Sequence, residues 1–319
     1  ESHHVDHWDG KIWGDDPDAP IELEGHETDG LTEIATRRMV ELGDEARKRS
    51  AQGSGPEPFA FFLSYQAPHP PCSPPPAFEE SYLDRPPALR PNARQEAHFL
   101  RPEWSCDMHT GEFQSGYFGE ITHMDAAFGR ILETLAETEL DKDTIVIFTS
   151  DHGEMAGSHG LFGKEVMYEE SLRVPLAIRH PGQSAGRRER GLVSGIDLYP
   201  TILELLGAPA DERAEGVSFA SSVREGARIR RERVYAEYHD LCVRTGRYKV
   251  VSDAGASTVR AAYDLESDPH ELENRAGSLG VERELLSELH RWRESALSRI
   301  GIPEEAATPL ARHAENEKV

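Results

Sequence analysis

The residues best equipped for chemistry gather in one stretch, TSDHGEMAGSHGLFGK at 149–164, which holds Asp151, His152, His159 and Lys164. A carboxylate suits a hard cation, and an imidazole beside it adds a nitrogen ligand when one turn points both inward. Gly153 permits a tight turn there, and the glycines of GSHGLFGK let backbone approach a bound group. Beyond them the Lys164 ammonium can hold an anionic oxygen. A further candidate, His69, stands among prolines in APHPPCSPPPAF. Each has a plainer reading. Asp-His after a strand can cap the next helix, His69 can be an ordinary loop histidine, and Lys164 with Glu165 can be a solvated pair. Their joint position favours a site for a cation and an anion together. His159 reads as shaping the Gly-rich loop ahead of contacting substrate.

The elements around these residues supply the positioning. PFAFFLSYQ (58–66), TIVIFTS (144–150) and RVPLAIRHP (173–181) are apolar runs of the kind found in strands buried on both faces. The prolines after residue 66 predict a rigid loop without helix. Helices are expected over 29–49, with Asp29 or Thr32 as cap, and over 114–137, with Phe118, Ile121, Met124, Phe128, Ile131, Leu132 and Leu135 as its apolar stripe. A third runs through DLYPTILELLG and closes at Gly207. Helices alternating with buried strands imply an α/β layered domain with a largely parallel sheet. Ligands of such sheets sit beyond the carboxyl ends of the strands, which is where His69, Asp151 and His152 fall. After about residue 221, RVYAEYH, LCVRTGRYKVVSD and AAYDLESD read as shorter strands, followed by a helix over 281–299, a small antiparallel α+β subdomain. The division expected is 1–221, 222–303 and a flexible tail at 304–319.

Lys plus Arg total 35 against 58 Asp plus Glu, a formal charge of −23, so neither nucleic acid nor an anionic membrane surface is expected as a partner. An anionic substrate would need a locally positive or metal-bearing site. No stretch approaches the roughly 18 uninterrupted apolar residues of a membrane span. Cys72, Cys106 and Cys242 are too few and too far apart for a disulfide framework or a zinc knuckle. The first thirty residues lack periodicity and read as loop. His3, His4, Asp6 and His7 can bind metal, although such clusters in an irregular terminus are more commonly solvated.

FFLSYQAPHPP, YFGEITHMDAAFGRILETL, the block from Thr144 to Gly182, VSGIDLYPTILELLGAP and YDLESDPHELENRA stand in the order found in the sulfatases of the alkaline phosphatase superfamily, which the chain resembles over roughly residues 30–275. The pattern Ser-Asp-His-Gly-Glu-Met-x-Gly-Ser-His-Gly-x-x-x-Lys is its most specific part. The resemblance implies an alkaline phosphatase-like fold and hydrolysis of a small-molecule or carbohydrate sulfate ester. It makes Asp151 and His152 ligands of a divalent cation, usually calcium, with manganese or zinc as alternatives. By the same resemblance His69 assists the leaving group and Lys164 binds a sulfate oxygen.

Two family features are not recognisable. The formylglycine nucleophile derives from a Cys/Ser-x-Pro/Ala-x-Arg motif. CSPPP at Cys72 has Pro76 where Arg is required. The upstream Asp-Asp metal pair ends a strand, whereas Asp15 and Asp16 in GDDP follow no apolar run. The expectation is therefore the carboxyl-terminal part of a sulfatase, with its N-terminal strands and formylglycine segment missing and with little activity by itself. A phosphonate monoester or phosphodiester hydrolase of the same superfamily is the main rival, since it shares the Asp-His, His and Lys pattern. A nucleophile-deficient binding protein is the other. Substrate choice rests with loops such as 78–113, where Arg85, Arg90, Arg94, Arg101 and Trp104 can meet a sugar or aryl sulfate. Oligomeric state and compartment are not legible.

Overall fold

The computed structural model describes residues 7–14, 16, 18–55, 57–99, 108–183 and 186–300. His3, His4, Asp6, Asp15, Arg101, Trp104, Cys106 and the expected tail lie outside them. The chain falls into two units, Glu1–Ile145 and Val146–Val319, each described by itself.

In the first unit, β1 (Lys11–Trp13) and β2 (Pro20–Glu22) form an antiparallel hairpin. They lead into α1 (Glu27–Ala51), whose acidic first turn (Glu27, Asp29) and basic last turn (Lys48, Arg49) suit the helix dipole. The cap is His26, not Asp29 or Thr32: its Nδ1 accepts the Thr28 N–H at 3.3 Å. Prolines did not exclude helix throughout the next loop. α2 (Pro76–Asp84) opens on Pro76, where the missing N–H costs nothing. A short ladder pairs β3 (Glu96–Phe99) with β4 (Met108–His109), and α3 (Thr110–Glu137) follows directly, packed against both α1 and α2.

The inward face of α3 is rotated from the expected stripe. Phe113, Gly116, Glu120, His123, Ala127, Ile131 and Leu135 are buried, whereas Ile121 is exposed. Polar partners on α1 and on the segment before it make Glu120 and His123 tolerable inside, and apolarity alone could not reveal that.

Residues 58–66 correct another expectation. They carry no strand assignment, and Phe62 is 92% exposed. An apolar run becomes a buried strand only when neighbours pair with it and cover its faces, and the described residues of this unit provide none.

In the second unit β5 (Val146–Thr149) pairs with β7 (Leu176–Arg179), Val146 opposite Arg179. The pairing is antiparallel, not parallel as expected. A parallel return needs a crossover, usually a long helix, and the connection holds only β6 (Leu161–Phe162) and the one-turn α4 (Glu169–Leu172). α5 (Leu198–Leu205) ends near Gly207, at φ +68°, and α6 (Ala220–Glu225) follows.

Four strands form an antiparallel sheet in the order β11 (Val259–Asp264), β10 (Tyr248–Ser252), β9 (Leu241–Thr245), β8 (Arg233–Glu237). Alternation decides its faces. Leu241, Val243 and Val250 pack with Leu285 and Leu289 of α7 (Glu282–Ile300), while Cys242 and Val251 pack with Met167. The Lys249 ammonium is wholly buried, 2.8 Å from Glu169 and 2.7 Å from Glu271, and donates to the Met167 carbonyl. Burial alone would depress its pKa, but the Glu271 and Glu169 carboxylates outweigh burial and raise it. No helix among the described residues is long and apolar enough to cross a membrane.

Candidate functional site

β5 delivers its carboxyl end into the loop 150–165. Ser150 Oγ donates to Asp151 Oδ1 at 3.1 Å and the His152 amide donates to the same oxygen at 2.9 Å. That leaves Asp151 Oδ2 facing His152 Nε2 at 3.3 Å. The His152 Nδ1–H donates to the Gly153 carbonyl at 2.9 Å, which fixes Nε2 as the atom with a lone pair in the neutral ring. Metal-binding histidines are held in this way, by a hydrogen bond from the other nitrogen. The 3.3 Å between Asp151 Oδ2 and His152 Nε2 would let both atoms bind one cation. The residues present therefore fit a cation as two of its ligands. Asp151 is held below the usual carboxylate range: partial burial opposes ionisation, but the His152 amide, the His152 ring and Ser150 outweigh it.

Gly153 is required by packing. A Cβ there would overlap the Glu170 carbonyl oxygen, and its amide donates to Ser171 O at 2.8 Å. Glu154 ties the far side of the loop, Oε1 accepting from the Ala156 amide at 3.1 Å and the Gly163 amide at 2.6 Å. Burial pushes this carboxyl up to about 7, against the pull of those amides and of Lys164. Ala156, Gly157, His159, Gly160, Gly163 and Glu165 all have positive φ, three of them non-glycine. Left-handed backbone at this density is costly and tends to be kept where a loop must present groups in a fixed way. Lys164 stands between two such residues. His159 lies flat on Tyr168, centroids 3.8 Å apart and planes at 11°, a contact suited to shaping the loop.

His69 belongs to the first unit. Its amide donates to Gln66 O at 3.0 Å, and its Nδ1–H donates to Pro70 O at 2.7 Å, so Nε2 is the atom that exchanges a proton. His7 Nε2–H donates to the His69 carbonyl at 2.6 Å, and Trp8 Nε1–H donates to Ser73 O at 2.8 Å. His7 also donates from Nδ1 to Glu27 at 2.9 Å. Burial opposes its charge, but the Glu27 and His69 hydrogen bonds and the charges of Glu27 and Glu120 outweigh it, and its pKa is raised. The loop rests on glycines of α3: a Cβ on Gly116 would meet Cys72 O, and one on Gly119 would come within 2.7 Å of Pro74. Cys72 Sγ donates to Pro68 O at 3.6 Å.

The structure thus brings Asp151 and His152 together and sets His159 and Lys164 on the same loop. His7 is fully buried, not solvated. The supporting roles of His7, Glu27, Gly116, Gly119 and Glu154 were not apparent from sequence. The spacing of Gly116 and Gly119, one turn apart on a helix, was the available signal for a close approach.

A family model described as Sulfatase matches residues 16–208. The chain belongs to the sulfatase family. A second model, N-sulphoglucosamine sulphohydrolase, C-terminal, matches 157–295 of this sulfatase-family chain. The multifunctional alkaline phosphatase superfamily protein PehA of Trinickia caryophylli is 31% identical, covering 86% of this chain and 64% of PehA. Arylsulfatase K of Gallus gallus is 32% identical, covering 69% of this chain and 48% of its own length. The chain thus spans about half to two thirds of these relatives. Among solved structures, BT4656 in complex with its substrate D-glucosamine-2-N,6-O-disulfate superposes with a TM-score of 0.73 at 20% identity, covering 93% of this chain and 74% of BT4656. The fold is the alkaline phosphatase-like α/β fold of sulfatases.

Proposed function

We propose that this chain is the carboxyl-terminal part of a sulfuric ester hydrolase, with the N-terminal strands and formylglycine nucleophile supplied by sequence outside these 319 residues. The observation that carries the reading is the convergence of Asp151 Oδ2 and His152 Nε2, 3.3 Å apart, at the head of the loop bearing Lys164. Asp151 and His152 hold a divalent cation, calcium first and manganese or zinc as alternatives. When bound, the cation supplies positive charge for the sulfate oxygens. Calcium takes about six to eight oxygen ligands, so the remaining ones come from elsewhere.

Cleavage of a sulfate monoester builds negative charge on the leaving oxygen. His69, with Nδ1–H committed to Pro70 O, gives the proton from Nε2. Lys164 stabilises a sulfate oxygen, and His159 shapes the loop. The substrate is a small-molecule or carbohydrate sulfate ester. BT4656, whose substrate is a disulfated glucosamine, supports the carbohydrate class, and the acidic charge of −23 disfavours nucleic acid and anionic membranes. The catalytic part runs to residue 221 and the α+β subdomain from 222 to 303.

The test is turnover of aryl sulfate and aryl phosphonate esters side by side by the full-length protein. Sulfate preference, lost in His69→Ala and Lys164→Ala, is expected. Preference for phosphonate would move the reading to a phosphonate monoester or phosphodiester hydrolase, which the nitrogen ligand His152 favours. Absence of turnover with retained binding of sulfated ligands would make it a binding protein. The 319 residues alone are expected to be inactive, and strong turnover by them would refute that part.

A further inference from the structure

The interior of the first unit holds a donor set that the proposed hydrolysis does not use. His26, Glu120 and His123 are 2%, 0% and 2% exposed, and one ligand atom from each lies within 4.8 Å of the others. Two of their atoms are buried without a hydrogen-bond partner, Glu120 Oε2 and His123 Nδ1. A carboxylate oxygen and an imidazole nitrogen each left unpartnered in a buried interior are costly unless something positive reaches them.

We propose that His26, Glu120 and His123 form a buried site for a structural divalent metal ion of the zinc class, tying the residue before α1 to the middle of α3. Two imidazoles and one carboxylate are a known set of three protein ligands for zinc, with a water completing the fourth position, and borderline metals prefer it to the all-oxygen shell of calcium. The surroundings suit the role. Asp29 accepts from His123 Nε2–H at 3.0 Å, which directs Nδ1 inward, and Arg130 holds the other oxygen of Asp29 at 3.0 Å. A carboxylate behind a histidine in this way orients the ring and raises its basicity as a ligand. Phe78 stacks on His123 at 4.7 Å, while Trp8 meets His26 edge-on at 5.3 Å. His7 stacks on His26 at 5.6 Å.

His26 must change tautomer to take part. Its Nε2–H now donates to Glu120 Oε1 at 3.2 Å, and its Nδ1 accepts the long Thr28 contact. On loading, the ring proton moves from Nε2 to Nδ1, so the Thr28 cap is given up. With so little exposure the ion enters during folding and leaves slowly.

The test uses the full-length protein carrying Asp151→Ala and His152→Ala, which removes the exposed pair. The protein is produced with zinc, dialysed against chelator and analysed for bound metal. Zinc retained near one equivalent, and lost in Glu120→Gln and His123→Asn, is the expected result. Asp29→Asn keeps all three ligands and should weaken zinc binding about 10–100-fold. Should the buried variants fail to fold, cobalt substituted into the parent protein decides the matter: a spectrum of low-coordinate nitrogen and oxygen ligation supports the site, and a six-oxygen spectrum overturns it. No retained zinc in the parent, the result if a shared proton occupies the cluster, also overturns it, as does zinc binding unchanged by Glu120→Gln and Asp29→Asn.

Discussion

Replacing His7 with Phe tests how the His69 loop is held. The ring is fully buried and donates twice, to Glu27 at 2.9 Å and to the His69 carbonyl at 2.6 Å. Phe fills a similar space but donates to neither, leaving a buried carboxylate and a carbonyl without these bonds. A charge-assisted hydrogen bond contributes about 1.5–3 kcal/mol, and removing one partner of a buried ion pair costs about 3–5 kcal/mol. A loss of about 3–5 kcal/mol is therefore expected for His7→Phe. The raised His7 pKa sets the pH dependence. The stabilisation from charging this ring is fully present below its unfolded value of 6.5 and is lost as pH rises through the higher folded value. The wild-type advantage should thus be larger near about pH 6 than near about pH 9, where neutral His7 keeps only one N–H. Urea unfolding of both proteins at the two pH values reads this directly from midpoint and slope. A loss below about 1 kcal/mol, or an equal loss at both pH values, would refute a charged His7 bridging Glu27 and the loop.

Lys249→Met should destabilise the second unit by about 3–5 kcal/mol, because it leaves Glu169 and Glu271 without their buried cation; chemical denaturation measures it, and a neutral result would show that these carboxylates are protonated. Gly153→Ala drives a methyl into the Glu170 carbonyl, so the 150–165 loop must shift; about 1–3 kcal/mol of stability should be lost, roughly the cost of overpacking, with faster amide exchange in the loop. In the full-length protein, Lys164→Ala should lower kcat/KM for a sulfate ester about 10²–10³-fold, the range found for removing one oxyanion donor. His69→Ala should cost about 10²–10⁴-fold, less for substrates whose leaving group needs no proton.

The sequence by itself determined the elements whose signal is local. Alternation placed Leu241 and Val243 on one face and Cys242 on the other, and glycine-rich spacing marked 149–164 as a loop gathering a carboxylate, imidazoles and an ammonium. Tertiary structure decided what depends on distant partners. His26 and Glu120 are 94 positions apart, as are His123 and Asp29, so a polar inner face on α3 reads locally as a solvent face. The antiparallel return of β7 on β5 follows from a connection without a long crossover helix, and strand runs alone carry no direction. Residues 58–66 show the same rule in reverse: their composition favours burial, but burial requires neighbours that pair, and Phe62 stays exposed without them. Local periodicity fixes what a segment can become, while hydrogen-bond and ion-pair partners far away in sequence fix which of its polar groups can be buried and which way its strands run.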